Sequence, residues 1–465
     1  MYGLFTGLEI GKRALISSQL AMNTVGHNMA NANTPGYSRQ RVNISSTNPA
    51  ETAWGNAGTG VEVTSIQQIR DLFLSGQYRN ENGSMGSWEF TEKSVAQVEG
   101  FFNEPQENSL GSALDDFWQS WSAVAGNSDD NQARNDLLNK ANVLVNNMHQ
   151  IDRKLSNLRQ TIDSEIRTSV ADLNQVGSQI AVLNRQIISM EVAGDKANDL
   201  RDQRDNLIDT LSGYLDVSTI EKSNGSVTVA IGAMAFVEGD TYQRLGTETV
   251  KDGESSITKV VWERNKAAVN FKNGTFGSML HARDEMITTY QSELDTLARG
   301  IVENVNALHT TGFTLDNRTD IFFFDPTAIT AGTIKISDDV LGNPDMIAAA
   351  SAVDKPADGS IAEAISVMIN SSRVMRNSTT IREFYGSIVG RLGTESMEAT
   401  DNTENFKLLV EQIENQRQSV QGVSLDEEMT NLVRYQSAYE AAARVITVMD
   451  EALDTLINGT GIVGR

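Results

Sequence analysis

Apolar residues recur at helical spacing over most of this chain, and at both ends the spacing is strict. Leu8, Leu15, Met22 and Met29 stand seven apart, with Leu4, Val25 and the small Ala14 and Ala21 on the same side. Phe5, Ile16 and Leu20 fall about 150° away as a second apolar patch, so a helix here needs neighbours on two sides. At the other end Leu425, Leu432, Tyr439, Ile446 and Leu453 are again seven apart. Met429, Tyr435, Ala442, Met449 and Leu456 fill the positions between them. Asp426, Glu427 and Glu428 open that segment, as acids favour a helix N-terminus. A helix over 425–457 would be a rod of about 50 Å. The N-terminal set is expected to pack on the C-terminal set within one chain, leaving the second patch for other copies.

The six prolines, at 35, 49, 105, 326, 344 and 356, leave 106–325 and 357–465 free of helix breakers. Leu137, Ala141, Leu144, Met148, Ile151, Leu155, Leu158 and Ile162 alternate spacings of four and three, a heptad seam. Ile166, Val170, Leu173, Val176, Ile180, Leu183 and Ile187 continue it with a slight drift in phase. Further helices are predicted over 94–103, 109–125, 198–211, 277–308, 361–370, 378–393 and 402–420. From 216 to 276 alternation replaces the helical period, as in Val227, Val229 and Ile231. Asn224–Gly225, Asp252–Gly253 and Asn273–Gly274 supply hairpin turns there. A hairpin is also expected within 320–337, and strands within 40–69, broken by a flexible loop at 55–60.

The fold class that follows is α+β, mostly α: a terminal antiparallel coiled coil, a long-helix bundle with a β-hairpin, and an inserted small antiparallel β domain. Its expected divisions are 1–40 and 425–465 for the two halves of the terminal unit. A mixed helical domain would occupy 41–211 and 277–424, with the β insertion at 212–276.

Composition narrows the function. Of 465 residues, 38 are Lys or Arg and 61 are Asp or Glu, a net charge of −23. Such a chain is repelled by phosphate backbones, which argues against a nucleic-acid partner. No apolar run approaches the roughly 20 residues of a spanning helix, so membrane insertion is not expected. Met1 to Thr6 carry no basic residue, unlike a cleavable signal. There is no cysteine. The ends differ in sign: residues 1–50 carry Lys12, Arg13, Arg39 and Arg41 against Glu9, while 425–465 carry seven acids against three arginines.

Candidate chemistry is sparse. His27, His149, His281 and His309 show no metal-binding spacing, and packing roles fit them better. The stretch from Gly7 to Arg13 resembles a phosphate loop but has three spacers, and no hydroxyl follows Lys12. Asp316 to Asp320 lacks the glycine and distal glutamate of a calcium loop. Asp195, Asp199, Asp202, Asp205 and Asp209 line one helical face, but Arg201 and Arg204 interleave, which reads as a solvated face. No catalytic residue, cofactor or metal site is expected.

Between the first helix and the first strand, Asn28, Asn31 and Asn33 precede Thr34, Pro35, Gly36 and Tyr37, then Arg39 and Gln40. Physically this is a helix stop: asparagine tolerates left-handed backbone, Pro35 bars continuation and Gly36 supplies a turn. The segment also closely resembles the N-terminal motif shared by the bacterial flagellar rod, hook and hook-associated axial protein family. The run from Ser424 through Met429, Val433, Tyr439 and Arg444 is similar to the ending of the family's hook–filament junction members, as is Asn198 to Asp205. The resemblance covers the first 70 residues, the helical region to about Leu211 and the last 60 or so, and is weak between.

Membership would imply a secreted structural subunit and mechanical adapter, in a ring of about eleven copies between hook protein and hook-associated protein 3. Terminal helices would line an axial channel, and the flagellar type III export apparatus, with an export chaperone, would deliver the chain. A hook or distal rod protein is the alternative within the family. A secreted hydrolase is the alternative outside it.

Overall fold

The computed structural model describes residues 4–459 apart from 53–54, 193, 195, 253–254 and 371–378. The chain opens with α1 (Leu4–Ala30) and then forms β1 (Gln40–Ser46), β2 (Ala50–Thr52), β3 (Gly55–Ala57) and β4 (Val61–Gln68). Strand β1 pairs antiparallel with β4, and β2 with β3. The expected flexible loop at 55–60 is therefore in part a strand, β3, paired with β2.

Four helices follow: α2 (Leu72–Phe102), α3 (Leu110–Gly126), α4 (Asn131–Glu191) and α5 (Asn198–Tyr214). The central element is α4, 61 residues long, about 90 Å at the helical rise. Asp130 caps it by accepting the Gln132 N–H. The predicted seam from Leu137 to Leu173 is buried throughout. Beyond it the buried line passes through Asn174, Gly177, Ala181 and Asn184, while Val176 and Leu183 are only half-buried. The slippage is what a 3.6-residue turn does to a seven-residue repeat.

The alternating region folds as β5 (Val217–Glu221), β6 (Val227–Ile231), β7 (Met234–Glu238) and β8 (Thr241–Tyr242), a four-stranded antiparallel sheet in sequential order. Strands β9 (Leu245–Asp252) and β10 (Ser255–Trp262) make a separate hairpin. Both lie along the C-terminal half of α4. There Asn184 bonds the backbone of Val227 and Gly239, and Asn174 that of Leu245.

The chain returns through α6 (Gly274–His281), a π turn and α7 (Ile287–His309), then the short α8 (Asp338–Leu341) and α9 (Ser360–Ser366). It ends with α10 (Ile381–Gln421) and α11 (Leu425–Asp454). Two helices exceed expectation. Helix α2 starts at Leu72, not 94, and α10 runs unbroken across the gap expected after 393. Both pass through polar, glycine-containing stretches of low intrinsic helicity and are sustained by packing along each other. The hairpin expected within 320–337 is a single bridge, Phe324 to Ile336. Asn306 of α7 takes the strand partner's place. It accepts the N–H groups of Phe323 and Phe324 and donates to the Phe324 carbonyl.

One apolar core runs from α2 through α3, α4, α5, the strands and α7 to the first half of α10. Among the described residues, no side chain of α1 or α11 belongs to it.

Candidate assembly interface

Helices α1 and α11 pack antiparallel: Gly7 lies at Met449, Gly11 at Ile446, and Asn28 at Glu428. The closest approach is made by small residues rather than by the leucine heptad. A Cβ on Gly11 would sit 2.8 Å from Ile446 Cγ1, and one on Gly7 2.8 Å from Met449 Cε. Ser18, Ala21, Val25 and Asn28 continue this line, all buried. Leu8, Leu15, Leu20, Met22 and Met29 are half-buried on its flanks. Opposite them Ala442 is buried, and Leu432, Tyr435, Tyr439, Ile446, Met449 and Leu453 are half-buried. The side chain of Leu4 lies outside the described residues.

The remainder of the expected seam faces outward. Leu425, Met429 and Leu456 are about half exposed, contrary to their place in the intrachain heptad. Phe5 at 71% and Ile16 at 52% present the second patch of α1 to solvent. Val433 and Val448, both 59% exposed, join Val445 and Ile457 in extending the outer stripe of α11. Heptad counting missed these four. Their signal was the spacing of Val433 from Met429 and of Val448 from Val445. In all, the 30 residues of α11 bury only Glu428 and Ala442.

The helix pair is fastened to the body at one end, by the asparagine-rich motif. Asn28 Nδ2 donates to the Gln40 carbonyl at 2.9 Å and to Glu428 Oε2 at 3.0 Å. Its Oδ1 accepts the Tyr37 hydroxyl at 2.8 Å and the Gln40 N–H at 2.9 Å. Asn31 folds back onto the His27 carbonyl at 3.0 Å, and Thr34 bonds Asn31 at 3.2 Å. Asn33 and Pro35 are exposed, and Gly36 turns the chain with φ +75°. Arg39 reaches both Glu427 and Glu428 at 2.7 Å. The opposite charges of the two chain ends thus meet here. Burial first, then the charges of Asp199, Asp202 and Glu428, hold the Tyr37 hydroxyl well above its usual range.

The same motif rests on α5. Ser38 N–H donates to Asp202 Oδ2 at 2.9 Å, Gln40 Nε2 to Asp199 at 2.6 Å, and His27 lies 3.2 Å from Asp199. The aspartate face of α5 is not the solvated face expected of it. Asp205 pairs with Arg70, and Asp209 with Arg79 at 2.6 Å and Arg417 at 2.7 Å. Those arginines come from the chain before α2, from α2 and from α10, so α5 is a keystone joining three segments. Asp195 lies outside the described residues. On the other flank Arg201 grips Glu191 at 2.6 Å and Glu221 at 2.6 Å, and holds the Glu191 carboxyl down to about 2 against the opposing effect of burial. Among the described residues no three metal-ligating side chains converge.

Three family models match the chain. "Flagellar hook-associated protein FlgK helical domain" matches residues 95–324. "Flagellar basal body rod FlgEFG protein C-terminal" matches 414–459, and "Flagella basal body rod protein" matches 8–37. The flagellar hook-associated protein 1 of Bacillus subtilis (strain 168) is 32% identical over 513 aligned positions, covering 100% of both chains. That of Salmonella typhimurium is 26% identical, covering 96% of this chain and 98% of its own. The flagellar hook junction protein FlgK from Burkholderia pseudomallei has the same fold at a TM-score of 0.66 and 16% identity, over 74% of this chain and 100% of that one.

Proposed function

The chain belongs to the flagellar hook-associated protein 1 family, structural subunits of the bacterial flagellum at the junction of hook and filament, and we propose that it assembles there through the outer faces of α1 and α11. The observation that carries this reading is the incomplete burial of the terminal pair. Two long helices share one narrow seam of small residues, stand outside the core, and leave Phe5, Ile16, Leu425, Met429, Val433, Val445, Val448 and Leu456 exposed. Burial of such surface is worth about 25 cal/mol per Å², and in this reading other chains supply it.

In this reading the chain forms a closed ring of about eleven copies. Hook protein lies on one side and hook-associated protein 3 on the other. The ends 1–40 and 425–465 make the ring's inner tube, and 41–424 stand outside it. The flagellar type III apparatus, with an export chaperone, delivers the chain. The subunit works by contact and stiffness rather than by catalysis. Arg39, Asn28 and the keystone helix α5 transmit the tilt of the inner helices to the body.

Adding purified chain to isolated hooks and imaging their ends tests this. The expected result is one added layer with a copy number matching the hook's rotational symmetry. Hooks that stay bare at saturating concentration would overturn it.

A further inference from the structure

The contact of the motif with Asp202 is unlike its neighbours on the same face. Asp205 and Asp209 each meet guanidinium groups. No ion pair reaches Asp202 among the described residues, and its one full hydrogen bond is the Ser38 N–H on Oδ2, at 2.9 Å. Its Oδ1 is buried without a partner, as is Ser38 Oγ, which faces the same carboxyl. The residue is 5% exposed.

The surrounding charges compensate only in part: Arg70 favours the ionised form and Asp205 opposes it. Arg70, from the chain before α2, is committed to Asp205. Asp199 and Asp205 on α5 itself carry the same sign as Asp202. His27 of α1 turns to Asp199, Glu428 of α11 is bound by Asn28 and Arg39, and the Tyr37 hydroxyl of the motif points to Asn28. A buried carboxylate without a paired counter-charge is costly in its ionised form. Burial accordingly pushes Asp202 up to about 6, against the Ser38 N–H bond, the facing Ser38 hydroxyl and the charge of Arg70.

We propose that Asp202 is a proton-dependent fastener of the joint between the terminal helix pair and the body. Protonated, it seats the motif of residues 31–40 firmly on α5. Ionised, it leaves an incompletely compensated buried charge there and loosens the joint, while the body stays folded. The carboxyl binds its proton more tightly in the closed joint than in the open one. Its stabilisation is therefore complete below the free-acid range near 4 and is lost as pH rises through about 6. At neutral pH the helix pair is held by Asn28, Arg39 and the contacts of Gln40 and His27 with Asp199, without a seated Asp202, and can reorient against the body without either part unfolding.

Hydrogen exchange of the full chain between pH 5 and pH 8, corrected for intrinsic rates, tests this in peptides covering 37–41. Protection there is expected to fall by about tenfold across that range, while peptides of α4 within 137–166 do not change. Asp202→Asn should abolish the pH dependence and raise protection at pH 8 by up to about a hundredfold. An unaltered slope in Asp202→Asn, or weaker protection at pH 8, would overturn the proposal. So would a flat or rising profile in the unaltered chain, which needs no variant to fold. Loss of the slope in His27→Gln would assign it to the histidine instead, with the same consequence.

Discussion

Replacing Asn28 with alanine removes four hydrogen bonds at once. Gln40 loses partners for both its backbone N–H and its carbonyl, Tyr37 loses its acceptor, and Glu428 keeps only Arg39. Each bond is worth about 1 kcal/mol net, and orphaned buried groups cost more, while water entering the opened site recovers part. A net loss of about 3 kcal/mol, or roughly a hundredfold in the opening of the joint, is the expected size. Because α1 and α11 stand outside the apolar core, the loss should remain local. Trypsin cleavage after Arg39 and Arg41 should accelerate by about that factor, while the main thermal transition moves by no more than about 2 °C. A main transition that falls in step with the joint would show that the terminal pair is part of the cooperative core. Unchanged cleavage would show that the bonds of Asn28 hold nothing.

Other substitutions separate the interfaces. Leu432→Asp or Ile446→Asp places a charge in the half-buried seam, and should leave the body's melting intact while abolishing assembly on hooks. Val448→Asp lies on the outer stripe, so the free chain should melt as before to within about 0.5 kcal/mol and still fail to assemble. Gly86→Ala would put a Cβ 2.3 Å from the Gly213 carbonyl, and should cost about 2–3 kcal/mol in urea unfolding where α2 crosses the end of α5. Glu191→Gln breaks the grip of Arg201. Because that carboxyl is held down to about 2, its stabilisation is present above the ordinary range near 4.5 and fades as pH falls through 2. The variant should be less stable by about 1–2 kcal/mol at neutral pH, after allowance for solvent screening, with the deficit closing in acid.

What the sequence revealed was whatever its period alone determines. The α4 seam was legible because a heptad needs no knowledge of its partner. The pairing of the chain ends was legible because apolar spacing and opposite charge agreed. What stayed hidden depends on distant segments. Glu428 reads as a helix-opening acid, yet it is buried against Asn28, 400 positions away in the chain. The aspartates of α5 read as solvated because Arg70, Arg79 and Arg417 are remote in sequence. The heptad drew attention to Leu8 and Leu15, whereas the tightest contact is at Gly7 and Gly11, where the missing side chain lets α11 approach. The composition behind the hairpin expected within 320–337 could not disclose that Asn306 would satisfy its backbone instead.

The chain has no cysteine, so a single introduced thiol reports on its own site. Maleimide labelling of Val448→Cys, free and then assembled on hook ends, tests most directly whether the outer stripe of α11 is covered by other chains. Ile220→Cys, on an exposed strand of the β region, serves as reference. The expected result is rapid labelling of both in the free chain and at least about a tenfold slowing at position 448 alone after assembly. Equal labelling at position 448 in the free and assembled states would contradict the claim.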